Sequence, residues 1–293
     1  MCQSDLMNLF NELDDSVLEK VTREAAVRAP FNYPGAKTRS IVEIINRLPY
    51  RKSYIEPFGG TGTILLNRNP STIEVLNDKY FGIVAFYRCI RDSAKSMALV
   101  NRLKDILHSR EEFIWCKDTW ANCEDDVERA ARWYYMIMFS FASLGRNFGR
   151  STSSDMNMAD ILAKRILGFD KIHNRLKSVL IENQDYANLL YDFDSEDAVF
   201  YLDPPYYEAY KNTYKFEMTP DEHKKMLNTI FKMKAFVAVS SYYNELYDQY
   251  PWTTVYRWTA QVSIKAMAFH EENYKEDELS QRQNAEECLF IKE

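Results

Sequence analysis

The sequence predicts an α/β fold with a mixed, mostly parallel sheet, helices on both faces, a helical insert and a C-terminal antiparallel hairpin. Five short apolar runs, each bounded by turn or acidic residues, alternate with segments of helical spacing, as expected for buried parallel strands. The stretch 80–177 is mostly helical by pattern and lies between the second and third of these runs. Two late β-like pieces, at about 253–265 and 286–292, favour an antiparallel hairpin.

Composition narrows the class of protein. A chain of 293 residues fits one large α/β domain, or one domain with an inserted lobe. Five dispersed cysteines without a CxxC pair indicate a reduced, cytosolic setting, and the four histidines give no zinc spacing, so we expect no metal. There is no apolar run long enough for a bilayer and no secretory signal, so no membrane association is expected.

The first elements in the chain precede any strand. Residues 1–28 have helical apolar spacing and predict an amphipathic helix with a packing or assembly role. Residues 30–37 form a Pro- and Gly-rich loop, followed by a helix from about Ser40 to Leu48. A Tyr-Pro-Gly turn with a nearby lysine suits an anion such as a carboxylate, although an ordinary surface turn is the alternative.

The first two strands carry the features of a nucleoside site. Residues 53–66 indicate a strand, a turn with glycines at 59, 60 and 62, and a helix. Such glycines allow a ligand to approach the backbone, although the spacing is not G-x-G-x-x-G and is a weak signal alone. The run 73–78 then ends in Asp78, which could bind ribose hydroxyls or cap the next helix. With the glycine turn beside it, the ribose role is favoured and implies an adenosine-containing cofactor.

The helical insert carries a local positive charge. Asp125 and Glu128 have the spacing of a capping box, and an apolar face then runs from Ala130 to Leu144, with Gly145 closing the helix. A polar loop, 145–154, follows. Residues 127–177 contain nine basic and four acidic side chains, a net of +5 in a chain of net charge −6. We interpret this segment as a nucleic-acid contact, with a solvated helical face as the alternative.

The remaining strands lead to the stretch that suggests chemistry. The run 179–186 ends in Asp185 and Tyr186, and residues 199–202 are followed by Asp-Pro-Pro-Tyr at 203–206. The two prolines stiffen the backbone and leave carbonyl acceptors, one carboxylate and an aromatic ring at the carboxyl edge of the sheet. Such a group suits a flat molecule with an exocyclic amine, or else it is merely a rigid turn. A helix over 220–233, a strand over 235–240 and a charged loop over 271–283 complete the pattern.

Taken in order, three stretches resemble motifs of the Dam-like (D12, or α-group) DNA adenine N6-methyltransferases. Residues 33–37, Tyr-Pro-Gly-Ala-Lys, resemble the N-terminal cofactor motif of that family, 57–62 its glycine-rich motif and 203–206 its catalytic motif. The resemblance begins at about residue 30. The stretch 141–149 is similar to short-insert members found in phages and mobile elements. Ala36 departs from the pattern, since many members have a second glycine there, and should be tolerated unless it needs a positive φ.

The resemblance implies a Rossmann-like class I methyltransferase fold in three parts. These are an N-terminal helix (1–28), a catalytic domain that binds S-adenosylmethionine (29–90 and 178–293) and a helical target-recognition insert (91–177). The implied cofactor-binding residues are Tyr33, Gly35, Lys37, Glu56, Pro57, Phe58, Gly59, Gly60, Thr61, Gly62, Thr63, Asp78, Asp185 and Tyr186. The implied catalytic residues are Asp203, Pro204, Pro205 and Tyr206. The candidate DNA-binding residues, Arg146, Asn147 and Arg150, come instead from the charge of the polar loop 145–154.

The implied reaction is methyl transfer from S-adenosylmethionine to the exocyclic amine of an adenine flipped out of double-stranded DNA. Asp203 and the Pro204 carbonyl would accept the two amine hydrogens and Tyr206 would stack on the base. Asp78 would hold the ribose, and Asp185 with Tyr186 would lie at the cofactor adenine. The alternatives are N4-cytosine methylation, although those enzymes more often have serine at the position of Asp203, and a DNA-binding relative without catalysis.

The resemblance also sets expectations for the context of the protein. It implies the cytoplasm of a bacterial or phage-infected cell, and the protein could act as a monomer or a dimer. Restriction-modification, phage self-protection and gene regulation are all compatible with the resemblance. The insert is too divergent for the recognition sequence to be carried over.

Overall fold

A computed structural model describes residues 27–149, 157–207, 215–262 and 283–293 of the chain. Residues 1–26 of the predicted N-terminal helix, and nearly all of the charged loop 271–283, lie outside the described residues. The structure contains a seven-stranded sheet in the order β3-β2-β1-β4-β5-β7-β6. Its strands are β1 (Ser53–Glu56), β2 (Ile73–Asn77), β3 (Val179–Glu182), β4 (Ala198–Leu202), β5 (Phe236–Tyr242), β6 (Thr254–Val262) and β7 (Gln283–Lys292).

The sheet confirms the predicted fold class. Strands β1 to β5 pair in parallel, whereas β7 pairs antiparallel with both β5 and β6. The C-terminal pair is therefore the predicted hairpin, with its second strand inserted between β5 and β6. From β1 the chain runs outward to β2 and β3 on one side and to β4 and β5 on the other. This reversal at β1 and β4 creates the crevice in which open α/β sheets bind ligands.

The helices connect these strands and form the insert. Those nearest the first two strands are α1 (Ile41–Ile45), α2 (Thr63–Asn67) and α3 (Phe81–Arg91). The insert contains α4 (Ser93–Lys104), α5 (Arg110–Thr119), α6 (Asp126–Phe139), α7 (Met158–Ile166) and α8 (Phe169–Leu176), and after β3 come α9 (Tyr186–Asp192), α10 (Pro220–Ile230) and α11 (Glu245–Asp248). Short 3-10 turns lie at Trp120–Asn122 and Phe141–Ser143.

The long insert helix α6 ends earlier than the apolar pattern predicts. It stops at Phe139, and the backbone reverses so that the Phe141 amide bonds to the Asn147 carbonyl at 2.7 Å. Ala142 has a φ of 52°, which a right-handed helix does not allow. The Ser140 hydroxyl accepts a bond from the Gly145 amide at 2.8 Å and stabilises this turn. The prediction that this helix continues through Leu144 and is closed by Gly145 was therefore wrong.

The start of α6 has only half of the predicted capping box. The Asp125 side chain caps the helix by accepting from the Glu128 amide at 2.8 Å. The Glu128 carboxylate, however, accepts from Arg102 and Arg132 rather than turning back to the N-terminus. Two guanidinium donors are stronger partners for a carboxylate than one backbone amide, which explains the difference.

Several other boundaries differ from the sequence prediction by a few residues. Helix α1 ends at Ile45 rather than near Leu48, and α10 ends at Ile230 rather than at Met233. Strand β5 begins at Phe236 and continues to Tyr242. Helix ends fray and strand ends depend on the neighbouring strand, so local patterns define such bounds poorly.

The sheet separates two hydrophobic core clusters, one on each face. Alternate residues of β4 point to opposite faces: Val199 and Tyr201 belong to the first cluster, and Phe200 and Leu202 to the second. The first cluster also contains α3 and most of the insert helices, so the insert shares its core with the sheet. No helix in the described ranges combines the length and apolar character that crossing a membrane requires.

Candidate active site at the carboxyl edge of the sheet

An open cleft lies where the parallel strands β1, β2 and β4 end. Its volume is about 1010 Å³ including its mouth, which is enough for a ligand of nucleoside size or larger. The cleft is lined by most of the residues that the sequence nominated for cofactor binding: Tyr33, Gly35, Lys37, Glu56, Phe58, Gly59, Gly60, Thr61, Thr63, Asp78, Asp185 and Tyr186. Asp203 and Pro205 from the Asp-Pro-Pro-Tyr stretch also line it, whereas Pro57, Gly62, Pro204 and Tyr206 do not.

The glycine-rich turn after β1 forms one wall of the cleft, and two of its glycines have different reasons to be glycine. A Cβ on Gly59 would lie 2.5 Å from Leu76 Cδ1 and 2.9 Å from the Asn77 carbonyl, so the turn packs directly against β2. Gly60 has a φ of +49°, and a Cβ there would meet nothing within 4 Å. A side chain at Gly60 would therefore extend into the cleft, into the space that a ligand would use.

Asp78, directly after β2, is half-buried beside this turn. Its carboxylate accepts bonds from the Gly60 amide at 2.8 Å and from the Tyr80 amide at 2.7 Å. Burial raises the pKa of Asp78 to about 6, and these two backbone bonds oppose that rise. The carboxylate thus holds the glycine turn in place while its remaining lone pairs are available to hydroxyl groups in the cleft.

Asp203 lies across the cleft and is paired with Lys37, 166 residues away in the chain. The Lys37 Nζ lies 2.6 Å from each carboxylate oxygen and also donates to the Gly35 carbonyl at 2.7 Å. Lys37 is only 6% exposed, so this ion pair is largely shielded from water. Asp203 Oδ1 is buried and its close contact with the Lys37 ammonium lacks hydrogen-bond geometry, so this oxygen can accept from a donor in the cleft only when Lys37 moves.

The protonation of the acidic groups in the cleft is shifted by burial. The pKa of Asp203 is raised to about 6, because burial raises it, the Lys37 charge opposes that rise and the Glu287 charge adds to it. Asp203 is therefore mainly ionised at neutral pH. Burial also raises the pKa of Glu56 to about 8, although the Tyr54 hydroxyl donates to this carboxylate at 2.7 Å. Glu56 is mainly protonated at neutral pH and adds little negative charge to the site.

Tyr206 has a different position from the one the sequence suggested. It is buried, and its hydroxyl donates to Glu287 at 2.9 Å. Its ring packs edge-on against Tyr242, with 4.6 Å between the ring centroids, and the Lys37 Nζ lies 4.9 Å from the Tyr206 centroid. The role of Tyr206 as a stacking surface remains a prediction, and it requires Lys37 to leave that face of the ring.

Two other residues predicted to bind the cofactor, Asp185 and Tyr186, lie at the start of α9. The Asp185 side chain caps this helix by accepting from the Ala187 amide at 3.0 Å, and it lies 3.7 Å from the Lys79 ammonium. The Tyr186 ring lies 5.1 Å from the Phe58 ring at a tilt of 31°. Together these two rings make an aromatic wall for a flat group.

Two of the three candidate DNA-binding residues lie on the loop that follows α6. Arg146 and Asn147 are exposed on the loop after α6, which a bridge between Ser140 and Phe148 closes. Neither residue lines the cleft. Arg150 lies outside the described residues. Their contact with DNA therefore remains a prediction from the charge pattern.

The structure brings to the site several residues that the sequence analysis did not select. Lys79, Tyr80 and Tyr201 line the cleft, as do residues 215–218 and Glu222. Lys79 and Tyr80 directly follow Asp78 and could have been inferred from that position. Glu287 on β7 had no such signal, because its contact with Tyr206 joins residues 81 positions apart.

The residues of the cleft fit an adenosine-containing sulfonium donor such as S-adenosylmethionine. A half-buried carboxylate faces the glycine turn, open space lies at Gly60, and aromatic rings line one side. The Asp203 carboxylate, paired with Lys37, lines the same cleft. No group of three or more His, Cys, Asp or Glu side chains that could hold a metal ion is found among the described residues. The arrangement can position a cofactor and present acceptors to an amine.

Comparison with known proteins agrees with this arrangement. A segment of 121 residues is 27% identical to the DNA N-6-adenine-methyltransferase of Escherichia phage P1. The matched segment makes up 41% of this chain but only 16% of the phage protein. Residues 33–264 match the model of the D12 class N6 adenine-specific DNA methyltransferases. That match covers most of the chain and includes every residue of the cleft described above. The chain therefore belongs to the D12 class N6 adenine-specific DNA methyltransferase family.

Proposed function

We propose that this protein transfers a methyl group from S-adenosylmethionine to the N6 amine of adenine in double-stranded DNA. The observation that carries the proposal is the position of the Asp203 carboxylate, which is paired with Lys37 and lines the same cleft as the glycine turn and Asp78. Family membership supports the same reaction, since the family is defined by adenine-specific DNA methylation. The cytoplasm of a bacterial or phage-infected cell, where such DNA is present, is the proposed place of action.

The donor would be held by the wall of the cleft near β1 and β2. S-adenosylmethionine, when bound, supplies an electrophilic methyl group on a positively charged sulfur. Asp78 would accept from its ribose hydroxyls, the backbone of Gly59 and Gly60 would lie against it, and Phe58 with Tyr186 would contact its adenine. Of these contacts, the two with Asp78 and Gly60 have the clearest support, because both residues are already positioned by the bond between them.

Asp203 would act on the target base. The exocyclic nitrogen of adenine is a poor nucleophile because its lone pair is delocalised into the ring. When Asp203 and the Pro204 carbonyl accept hydrogen bonds from its two N–H groups, the lone pair becomes more localised on nitrogen. Positioning and electrostatics would then provide most of the rate enhancement. A paired adenine has to leave the duplex first, at a cost of a few kcal/mol for unstacking.

Entry of the base has a consequence for Lys37. Its ammonium lies 2.6 Å from both oxygens of Asp203 and 4.9 Å from the Tyr206 ring centroid. It therefore stands at the acceptor and the aromatic face that the target base would use. We expect Lys37 to move aside when the base enters.

The test is methyl transfer from labelled S-adenosylmethionine to unmethylated DNA, with digestion to nucleosides and single-molecule sequencing. We expect N6-methyladenine, concentrated at one short sequence. The control is Asp203→Asn, which keeps the side-chain shape but loses the charge. It should lose transfer while retaining donor binding in a calorimeter. Transfer by this variant at a rate near that of the wild type would contradict the role of Asp203.

Other outcomes separate the alternatives. Recovery of N4-methylcytosine instead of N6-methyladenine would identify the cytosine reaction. DNA binding without donor binding would indicate a relative that has lost catalysis. Donor binding without transfer to any DNA would mean that the substrate is another molecule with an exocyclic amine.

A further inference from the structure

A buried carboxylate outside the cleft contacts the residues that surround Asp203. Glu287, on β7, is 6% exposed and does not line the cleft. Its Oε1 accepts from the Tyr206 hydroxyl at 2.9 Å and lies 3.7 Å from the Lys37 Nζ. Its Oε2 accepts from the Ser40 hydroxyl and the Trp258 indole N–H, both at 3.2 Å.

The position of β7 explains how one side chain reaches these partners. In the sheet, Glu287 stands opposite Tyr242 of β5 and opposite Trp258 of β6. Tyr242 packs against the Tyr206 ring, and Ser40 directly precedes α1 in the segment that carries Lys37. Insertion of β7 between β5 and β6 therefore places Glu287 between the lysine loop and the Asp-Pro-Pro-Tyr stretch.

A buried carboxylate is costly unless its oxygens are paired, and here both oxygens have donors. A glutamine has the same shape and no charge, but it keeps only one acceptor oxygen, because its amide nitrogen donates and cannot accept. The charge matters because Lys37 lies between two carboxylates, 2.6 Å from Asp203 and 3.7 Å from Glu287. When a base amine takes over the oxygens of Asp203, the ammonium still has Glu287 as a counter-charge in the buried site.

We propose that Glu287 is a positioning residue for methyl transfer, which orients Tyr206 and the Lys37 ammonium around the Asp203 carboxylate. This inference rests on the proposed function of the cleft. Glu287 touches neither base nor donor in this scheme and acts through Lys37 and Tyr206. It also gives the displaced Lys37 ammonium a second place to bind when the target base enters.

The pH dependence of Asp203 offers a direct test. Glu287 raises the pKa of Asp203 through its charge, so the change Glu287→Gln should lower that pKa. The titratable and charged groups that interact with Asp203 are Lys37, Glu287, Tyr206, Glu56, Tyr201 and Tyr247. Of these, the Gln variant changes the charge of Glu287 alone.

The experiment compares the full-length wild type with Glu287→Gln and Glu287→Ala. We expect kcat to fall roughly tenfold for Gln and up to about 100-fold for Ala, the range that charged hydrogen bonds confer. Donor affinity should stay within about twofold, because Glu287 does not line the cleft. In Glu287→Gln, the acid limb of the kcat/KM profile for DNA and the Asp203 pKa, followed by NMR of ¹³C-carboxyl-labelled aspartate, should both shift to lower pH.

The matched control is Glu74→Gln on β2. Glu74 is also a buried carboxylate, 2% exposed, but it pairs with Arg175 at 2.7 Å and with Arg68, and it does not line the cleft. We expect this change to reduce stability and to leave kcat per folded molecule and the Asp203 pKa as in the wild type.

Two results would overturn the inference. One is an unchanged Asp203 pKa in Glu287→Gln; the other is a loss of activity in proportion to the folded fraction, with the acid limb unmoved. A wild-type protein without methyl transfer to DNA would instead contradict the proposed function. In that case the NMR titration still decides whether Glu287 acts on Asp203.

Discussion

At the scale of single residues, Asp203 has to stay ionised in a largely buried position so that its carboxylate can accept hydrogen bonds from an amine. Burial raises its pKa to about 6, and the Lys37 ammonium opposes that rise. The carboxyl group is protonated below that pH and ionised above it. Neutral pH lies only a little above this pKa, so the carboxylate keeps its charge with a small margin.

This margin predicts the pH dependence of the reaction. With donor saturating and DNA well below saturation, we expect kcat/KM for DNA to fall as the pH drops through about 6. This parameter reports the protein before the base enters, with Lys37 still paired to Asp203, and protonated Asp203 loses an acceptor. Calorimetry of donor binding over the same range is the control, since the pKa of Asp78 is also raised to about 6. A rate constant that stays flat between about pH 5 and pH 8 would contradict this assignment.

The two neighbouring glycines of the turn give a second prediction. Gly59→Ala should lower the free energy of unfolding by about 1–3 kcal/mol, because its Cβ would clash with Leu76 and the Asn77 carbonyl. Gly60→Ala should cost about 1 kcal/mol for its positive φ but mainly weaken donor binding, because its Cβ enters the cleft. Chemical denaturation and calorimetry measure the two effects.

The comparison between the two variants provides the control. Each adds one methyl group within the same turn, so a shared effect on folding would appear in both. Equal donor affinity in Gly60→Ala and the wild type would show that the open space at Gly60 is not used by the donor.

The sequence predicted many residues of the cleft but few of their contacts. Gly59, Gly60 and Asp78 were identifiable because the ends of neighbouring parallel strands meet at one edge of the sheet. The pairing of Lys37 with Asp203 was not, since it joins loops 166 positions apart that local patterns do not relate. Glu287 was missed for the same reason: an acid in a β-like run is normally solvent-exposed, and only the position of β7 buries it.

At the scale of elements, the strands were predicted more reliably than the end of α6. An apolar run closed by an acid or a proline defines a buried strand from neighbouring residues alone. The apolar face of α6 continues past Phe139, but the chain leaves the helix where Ser140 and Asn147 offer alternative hydrogen bonds. The order of β7 between β5 and β6 likewise depends on distant pairing rather than on local pattern.

The loop that follows α6 carries the third prediction. Arg146→Ala should weaken DNA binding and reduce the slope of log affinity against log salt by about one, the effect of one lost phosphate contact. Because Arg146 is exposed, the free energy of unfolding should change by less than about 0.5 kcal/mol. Fluorescence anisotropy with labelled duplex DNA at several salt concentrations measures the slope.

A matched variant makes this result specific. Arg91→Ala removes another exposed arginine, at the end of α3, and should leave the salt slope unchanged. If both variants change the slope equally, the effect reflects the total charge of the protein and not a contact made by the loop after α6.

At the scale of the whole molecule, the insert and the sheet share one hydrophobic core. Helix α3 packs against α6, and residues of both lie in the cluster that also contains Tyr54 of β1. The insert, proposed to recognise DNA, and the sheet, whose edge is proposed to carry the chemistry, are therefore joined by a common core. The contact between Gly82 and Trp133 is one position at which this junction can be tested.

Gly82 lies on α3 where the Trp133 indole of α6 crosses it. A Cβ at Gly82 would lie 2.1 Å from Trp133 Nε1, and Trp133 is fully buried. Gly82→Ala should therefore lower the free energy of unfolding by about 1–3 kcal/mol through overpacking. Because the core is shared, tryptophan fluorescence and circular dichroism should report one transition at one denaturant midpoint, shifted equally for both probes. Two separate transitions, with only one of them shifted, would show instead that the insert unfolds independently of the sheet.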